Sequence, residues 1–352
     1  MKHLAIDIGA ESGRAVLGWR EGGKLRIEEV HRFPNPPIAR GESLFWDIEH
    51  LVGQVNESVA QVGGQVASIG IDTWAVDYVL LDAQGNRLGD PHCYRDLRTQ
   101  GATERAFALV PAADLYRATG IQIMPFNTVF QLLCEDAETL EAASAMLTIP
   151  DYLNYRLSGR QGSEFTNATT TQCYDPRTGD WAWDVLTRLG IPHRIFPPLV
   201  QPGTVLGTMP LSDVRVVAVA AHDTGSAVAG SPLTANSAWI SSGTWSIMGV
   251  EVDQAIVNED SFHANFTNEG GVNGTFRFSK NVAGLWLLQQ CRAAWGAEDS
   301  YEELVLLAEA AVAAETIDPD DPDFFAPGDM PAKINAKLAR PTSDKGVLSA
   351  SS

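Results

Sequence analysis

The stretch of this sequence best suited to chemistry is Ala221-His222-Asp223-Thr224-Gly225. It follows a run of small and apolar residues, 214–221, that reads as a buried strand, and it precedes a small-residue helix expected over 225–230. In α/β proteins the carboxyl ends of such strands face the ligand crevice. A carboxylate placed there can take the proton of an attacking hydroxyl during phosphoryl transfer, and the helix N-terminus that follows suits an anion. The same spacing also fits Asp223 as a plain helix N-cap.

Other clusters have the same double aspect. In Asp7-x-Gly9-x-x-Ser12-Gly13-Arg14 the glycines allow a tight turn with exposed backbone N–H groups, Ser12 can donate to a phosphate oxygen, and Asp7 can hold hydrated magnesium at the end of a strand. An ordinary hairpin turn explains that motif equally simply, and it is neither a Walker A loop nor a dinucleotide fingerprint. In Asp72-Thr73-Trp74-Ala75-Val76-Asp77 two carboxylates flank a Trp. That combination grips sugars, whose hydroxyls donate to carboxylates and whose C–H faces cover aromatic rings. It also describes two turn caps around a core Trp. In Tyr94-Arg95-Asp96-x-Arg98-Thr99 a solvated ion pair is the ordinary explanation. Ser241-Ser242-Gly243-Thr244 can grip phosphate through Thr244 or be a polar hairpin turn. Asn281 fits either a sugar hydroxyl or the N-cap of a helix carrying Gln289 two turns on, with Trp286 expected in the core.

The elements that must position these residues are legible. Residues 3–8, 14–19, 24–33, 66–72 and 76–82 read as strands, and 47–62 as a helix with Asp47 as N-cap. From 99 to 160 the pattern is mainly helical, broken at Pro111, Gly120, Pro125 and Pro150. Residues 237–242 and 245–251 read as a hairpin, and 282–295 and 300–314 as helices. The first Gly turn and the one at 243 share a strand–turn–strand pattern, a faint sign of duplication.

Composition narrows the classes. With 352 residues, 45% of them hydrophobic, the chain can bury a large core. Its 44 acidic against 25 basic residues give a charge of −19, which argues against nucleic acid or an anionic membrane as partner. The four cysteines are far apart and form neither a zinc pattern nor a disulfide framework. No leader or membrane span is read, so the expected location is cytoplasmic. Nothing in the sequence gives an oligomeric state.

Taken together and in order, DIGAESGR, IDTWAVDYVLLD, YRDLRT, GIQIMPFNT, PDYLNYRLSG, FTNATTTQ, AHDTGSAV, SSGTWSIMG, NEGG and KNVAGLWLLQ resemble the FGGY family of carbohydrate kinases, over about residues 4 to 335. The resemblance implies an α/β, two-lobed actin/hexokinase-like fold with RNase H-like cores and an incomplete second lobe. The expected division is a sugar-binding lobe at 1–235, a partial nucleotide-binding lobe at 236–340 and a non-family tail at 341–352. It implies transfer of phosphate from Mg-ATP to the 1-hydroxyl of a ketose, L-rhamnulose, with L-fuculose or xylulose as alternatives and a non-catalytic sugar-binding remnant as a third reading. It implies Asp223 as proton acceptor, with His222, Asp223, Thr224, Asn281 and the backbone at Ala75 on the ketose. Ala10, Glu11, Ser12, Gly13 and Arg14 would form the first phosphate loop, Thr244 and Gln289 would contact ATP, and Asp7 would lie near the metal (Mg2+). Such enzymes often carry Gly at Ala75, where a methyl either narrows the pocket or is accommodated. They also continue past residue 352 with a Gly-rich segment that cradles adenosine, so weak or absent ATP turnover is expected.

Overall fold

A computed structural model describes residues 1–234, 236–243, 245–296, 300–311, 316–319, 321–324 and 328–338. Thr244 and the expected tail at 341–352 lie outside the described residues. The chain divides into two units. Met1–Ser237 with Val250–Ser279 form the first, and Ala238–Gly249 with the chain from Lys280 onward form the second. The sequence alone suggests a division at 235/236. Residues 250–279 lie beyond it, yet pack with the first unit because Thr267, Glu269, Phe276 and Arg277 are buried there.

The first unit is built on a six-stranded mixed sheet. Its order is Thr204–Thr208, Arg215–Ala218, Ser68–Thr73, Lys2–Ile8, Ser12–Glu21 and Lys24–Pro34. The first, second and third strands of the chain form an antiparallel meander. Ser68–Thr73 adds to it in parallel, and Arg215–Ala218 adds in parallel again. Parallel neighbours need long crossovers, and the chain between them supplies helices. Helix Ile48–Val62 starts at Asp47, whose Oδ1 accepts from the His50 N–H at 2.9 Å, and stops at Gly63 in the left-handed region.

Period-two alternation then sorts the sheet's side chains. Leu4, Ile6 and Ile8, with Ile69 and Ile71, enter a core shared with Leu51, Val55, Leu153 and Leu157. The same alternation leaves Asp7 and Asp72 together on the opposite face, directly paired in the parallel register. A second core gathers around Val129, Phe130, Cys173, Trp181 and Leu186. The largely helical reading of 99–160 misses one strand there, Ala145–Thr148, which is fully buried and pairs with Tyr78–Leu81.

The second unit contains Ala238–Ser242, the start of Trp245–Val252, and helices Leu285–Ala294, Tyr301–Ala310 and Met330–Lys337. Its buried cluster is Cys291, Phe324, Met330 and Ile334. Trp286 lies at the margin of that cluster, its indole N–H donating to the Phe324 carbonyl at 2.9 Å.

Candidate active site

Three carboxylates gather at the strand ends of the first unit. The Thr73 N–H donates to the Ala221 carbonyl at 2.9 Å, and Thr73 bridges to His222. This brings the segment after Arg215–Ala218 beside the end of Ser68–Thr73, and so Asp223 towards Asp72 and Asp7. The charges register the approach. Burial pushes Asp72 well above the ordinary carboxylate range, and Asp7 and then Asp223 push it further, with the Ser226 hydroxyl pulling back. Asp223 is raised in the same way, by burial first, while His222 and the Thr224 N–H pull it down and Asp7 pushes it up. Asp7 Oδ2 is tied by Arg14, with Nε at 3.0 Å and Nη2 at 2.9 Å.

The helix begins at Asp223 and runs to Gly230, with His222 in the cap position and no side-chain cap bond. Asp223 is therefore the first helical residue and not the N-cap. Its Oδ1 accepts from the Thr224 N–H at 2.6 Å and the Thr224 hydroxyl at 3.2 Å, and lies 3.4 Å from His222 Nε2. The carboxylate keeps 36% of its side-chain surface open. It is thus desolvated enough to be basic, yet reachable through Oδ2.

Below it lies a buried polar ladder that sequence reasoning missed. His222 Nδ1 is 3.0 Å from Arg277 Nη2 and 3.3 Å from Glu269 Oε2. Arg277 is wholly buried, lies 3.2 Å from Glu269 Oε2 and donates from Nε to the Gly270 carbonyl at 3.0 Å. Burial works against ionised Glu269, but the Arg277 guanidinium beside it leads the effects that hold it down at about 2. Burial also lowers Arg277. The backbone of the site is fixed by Glu164, likewise missed. Its Oε2 accepts from the N–H groups of Thr166, Asn167 and Ala221 and from the Thr166 hydroxyl, whose oxygen accepts from the His222 N–H. The sequence signals were present but faint: charged Arg277 inside the alternating run Phe276–Ser279, and Glu164 immediately before FTNATTTQ.

The two Asp residues around Trp74 separate in role. Asp77 is buried and holds its neighbours: Trp46 Nε1 at 2.6 Å, Trp74 Nε1 at 3.0 Å, Gln131 Nε2 at 2.8 Å and the Tyr94 N–H at 3.1 Å. Burial moves it up to about 6 against those bonds. Asp72 is the one that joins Asp7 and Asp223. Between them Ala75 is half-buried, and Val76 has φ of +70°, a strained value for a β-branched residue. Thr128 Oγ1 anchors that bend by donating to the Val76 carbonyl at 2.6 Å.

In the first Gly turn the Gly9 N–H donates to the Ser12 carbonyl, and the Asn35 amide donates to the Gly9 carbonyl, both at 2.9 Å. Gly13 does not take a positive φ. It is needed because a Cβ there would lie 2.3 Å from the Phe33 ring. Ala10, Glu11 and Ser12 form the half-open lip of this turn. Arg98 is not in a solvated pair but in a network, 2.9 Å from Glu135 with both side chains only 13% exposed and hydrogen-bonded to Gln131. Asp96 caps the short helix Leu97–Thr99.

Asn281 and Gln289 belong to the second unit. Asn281 is in strand Phe276–Ala283, and the following helix starts at Leu285 after Gly284, so Asn281 is not its N-cap. Gln289 is half-buried within Leu285–Ala294.

The geometry invites a cation. Asp7 and Asp72 sit side by side with Asp223 nearby, and carboxylate oxygens are the donors a hard divalent ion prefers. Among the described residues no three His, Cys, Asp or Glu side chains converge to cage a metal. No helix among the described residues is long and apolar enough to cross a membrane.

Comparison with known proteins agrees with the motifs. Residues 3–228 match the N-terminal domain of the FGGY family of carbohydrate kinases, and 238–343 match its C-terminal domain. A rhamnulokinase of Bacteroides thetaiotaomicron is 44% identical, covering 94% of this chain and 71% of its own length. A rhamnulokinase of Bacillus subtilis is 40% identical, covering 95% and 72%. Among solved structures, ligand-bound xylulose kinase from Lactobacillus acidophilus superposes with a TM-score of 0.78 at 19% identity. That match covers 89% of this chain and 66% of the xylulose kinase chain, slightly under two thirds.

Proposed function

We propose, from the premise that this chain belongs to the FGGY family of carbohydrate kinases, that it transfers the γ-phosphoryl group of ATP to the 1-hydroxyl of L-rhamnulose, with Asp223 as general base. One observation carries the chemistry. Asp223 is desolvated and raised, its Oδ1 meets Thr224 and His222, and its side chain remains partly open. A carboxylate of that kind accepts a proton from the attacking hydroxyl as the O–P bond forms.

Roles for the remaining residues are proposed with it. His222 and Thr224 flank the base, and the backbone at Ala75, beside the strained bend at Val76, meets the ketose. The turn from Ala10 to Arg14 offers N–H groups, the Ser12 hydroxyl and a guanidinium to phosphate oxygens. Asp7, its Oδ2 held by Arg14, would hold the hydration shell of Mg2+. The ion would supply charge neutralisation to the phosphate groups as transfer proceeds. Asn281, Thr244 and Gln289 complete the proposed assignment, with Asn281 on the sugar and the other two on ATP.

Two measurements test this. Asp223→Asn lowers kcat by roughly 10²–10⁴-fold with little change in the ketose KM; an unchanged kcat rules out the base. In a panel of L-rhamnulose, L-fuculose and xylulose, kcat/KM is greatest for L-rhamnulose. A higher value for another ketose reassigns the substrate and leaves the chemistry intact.

A further inference from the structure

Nothing in the reaction itself requires a buried ion pair beneath the base, yet Glu269 and Arg277 lie within 3.3 Å of the His222 ring on the side away from Asp223. A guanidinium keeps its protons and can only donate. Arg277 Nη2, 3.0 Å from Nδ1, therefore needs a lone pair on that nitrogen. A neutral imidazole that accepts at Nδ1 has its single proton on Nε2. Nε2 is the nitrogen that faces Asp223 Oδ1 at 3.4 Å.

We propose that Arg277, itself paired with Glu269, is a positioning residue that locks His222 in its Nε2-protonated tautomer through the shorter contact on Nδ1, 3.0 Å against 3.3 Å for Glu269 Oε2, so that this N–H is presented to Asp223 Oδ1. The proposal rests on the reading of Asp223 as the base. The lock is built to stay in place. Arg277 is wholly buried, its Nε is held by the Gly270 carbonyl and its Nη2 lies beside Glu269. The His222 backbone is pinned separately, its N–H donating to Thr166 Oγ1. With ring and backbone both fixed, the His222 N–H and the Thr224 N–H converge on one carboxylate oxygen. Oδ2 is then the oxygen that receives the substrate proton. The other charges facing this cluster are Asp7 at the base, and Glu164 and Glu251 around Arg277.

Nitrogen-15 NMR of the histidine-labelled chain reads the tautomer directly, with His222 assigned by the signal that disappears in His222→Asn. The expected result is an acceptor-type Nδ1 and a protonated Nε2. A protonated Nδ1, in either the other tautomer or the imidazolium, overturns the proposal. In the paired variant Glu269→Gln/Arg277→Met, which removes both charges together, His222 loses its single-tautomer signature; an unchanged signature also overturns it. Arg277→Lys, which retains a donor, keeps the parent signature. In kinetics the paired variant lowers kcat about 10-fold or more with ketose KM within about 2-fold. Adding it to His222→Asn costs less than about 2-fold, because the pair acts through the ring; full additivity shows a merely structural pair. Asp223→Asn separates the two ideas: normal turnover there defeats the base while leaving the NMR result standing.

Discussion

At the scale of single residues, the site shows how much electrostatic cost the fold carries to place its carboxylates. Asp151 is pushed to about 8 and Glu164 to about 7, both chiefly by burial. A buried acid whose folded pKa exceeds its unfolded value binds its proton more tightly in the native state. Its protonated form therefore favours folding, and stability is lost as pH rises from the unfolded value through the folded one. For Asp151 that window runs from about 4 to about 8. Asp151→Asn keeps partners for the Thr148 hydroxyl and the Glu164 N–H but removes the titration. It flattens the fall in melting temperature between pH 5 and pH 8, to be followed by thermal melts across that range; a parallel pair of curves rejects the assignment. Glu269 works in the opposite sense. Held near 2, it contributes stability that is present above its ordinary range and lost as pH falls towards 2.

The elements themselves were largely readable because their signals are local. Asp47 announces its helix, Gly63 ends it, and Leu4-x-Ile6-x-Ile8 announces the central strand. Asp223 at a strand end was readable on the same grounds. Partners made by distant pairing had no such signal. Arg277 meets His222 only because strand Phe276–Ala283 passes beside it, and no local pattern distinguishes Glu164 from an ordinary cap. The reason for a glycine can also be misread from sequence alone. Gly13 reads in sequence as freedom for a tight turn, whereas its absence of a side chain makes room for Phe33. Gly13→Ala therefore destabilises by about 1–3 kcal/mol through overpacking, and Gly13→Ala/Phe33→Leu recovers part of the loss. Chemical denaturation measures both, and an additive double variant contradicts the packing explanation.

On the scale of the whole molecule, the two units differ in what they bury. The first has two extensive cores, whereas the described cluster of the second has four buried members, with Val305 and Leu306 exposed on its helix Tyr301–Ala310. Short helices with little burial are marginal in water. Amides of Leu285–Ala294 and Tyr301–Ala310 consequently exchange with deuterium well before those of Ile48–Val62. Equal protection in native-state exchange would contradict this. The charge of −19 acts on the whole chain as mutual repulsion and favours dispersal in solution.

The parallel pairing of strand Ser68–Thr73 with Arg215–Ala218 also sets a schedule for the chain as it is made. Asp7 and Asp72 leave the ribosome early, but the strand that closes their side of the sheet and the Arg277 that steadies His222 come much later. At ~5–20 residues per second, roughly 15–50 s separate the synthesis of Asp7 from that of Arg277. Throughout most of that interval the nascent sheet has an open edge along Ser68–Thr73, available to any passing strand. This is the stage at which chaperone contact matters most, and at which pausing during translation would do the most harm.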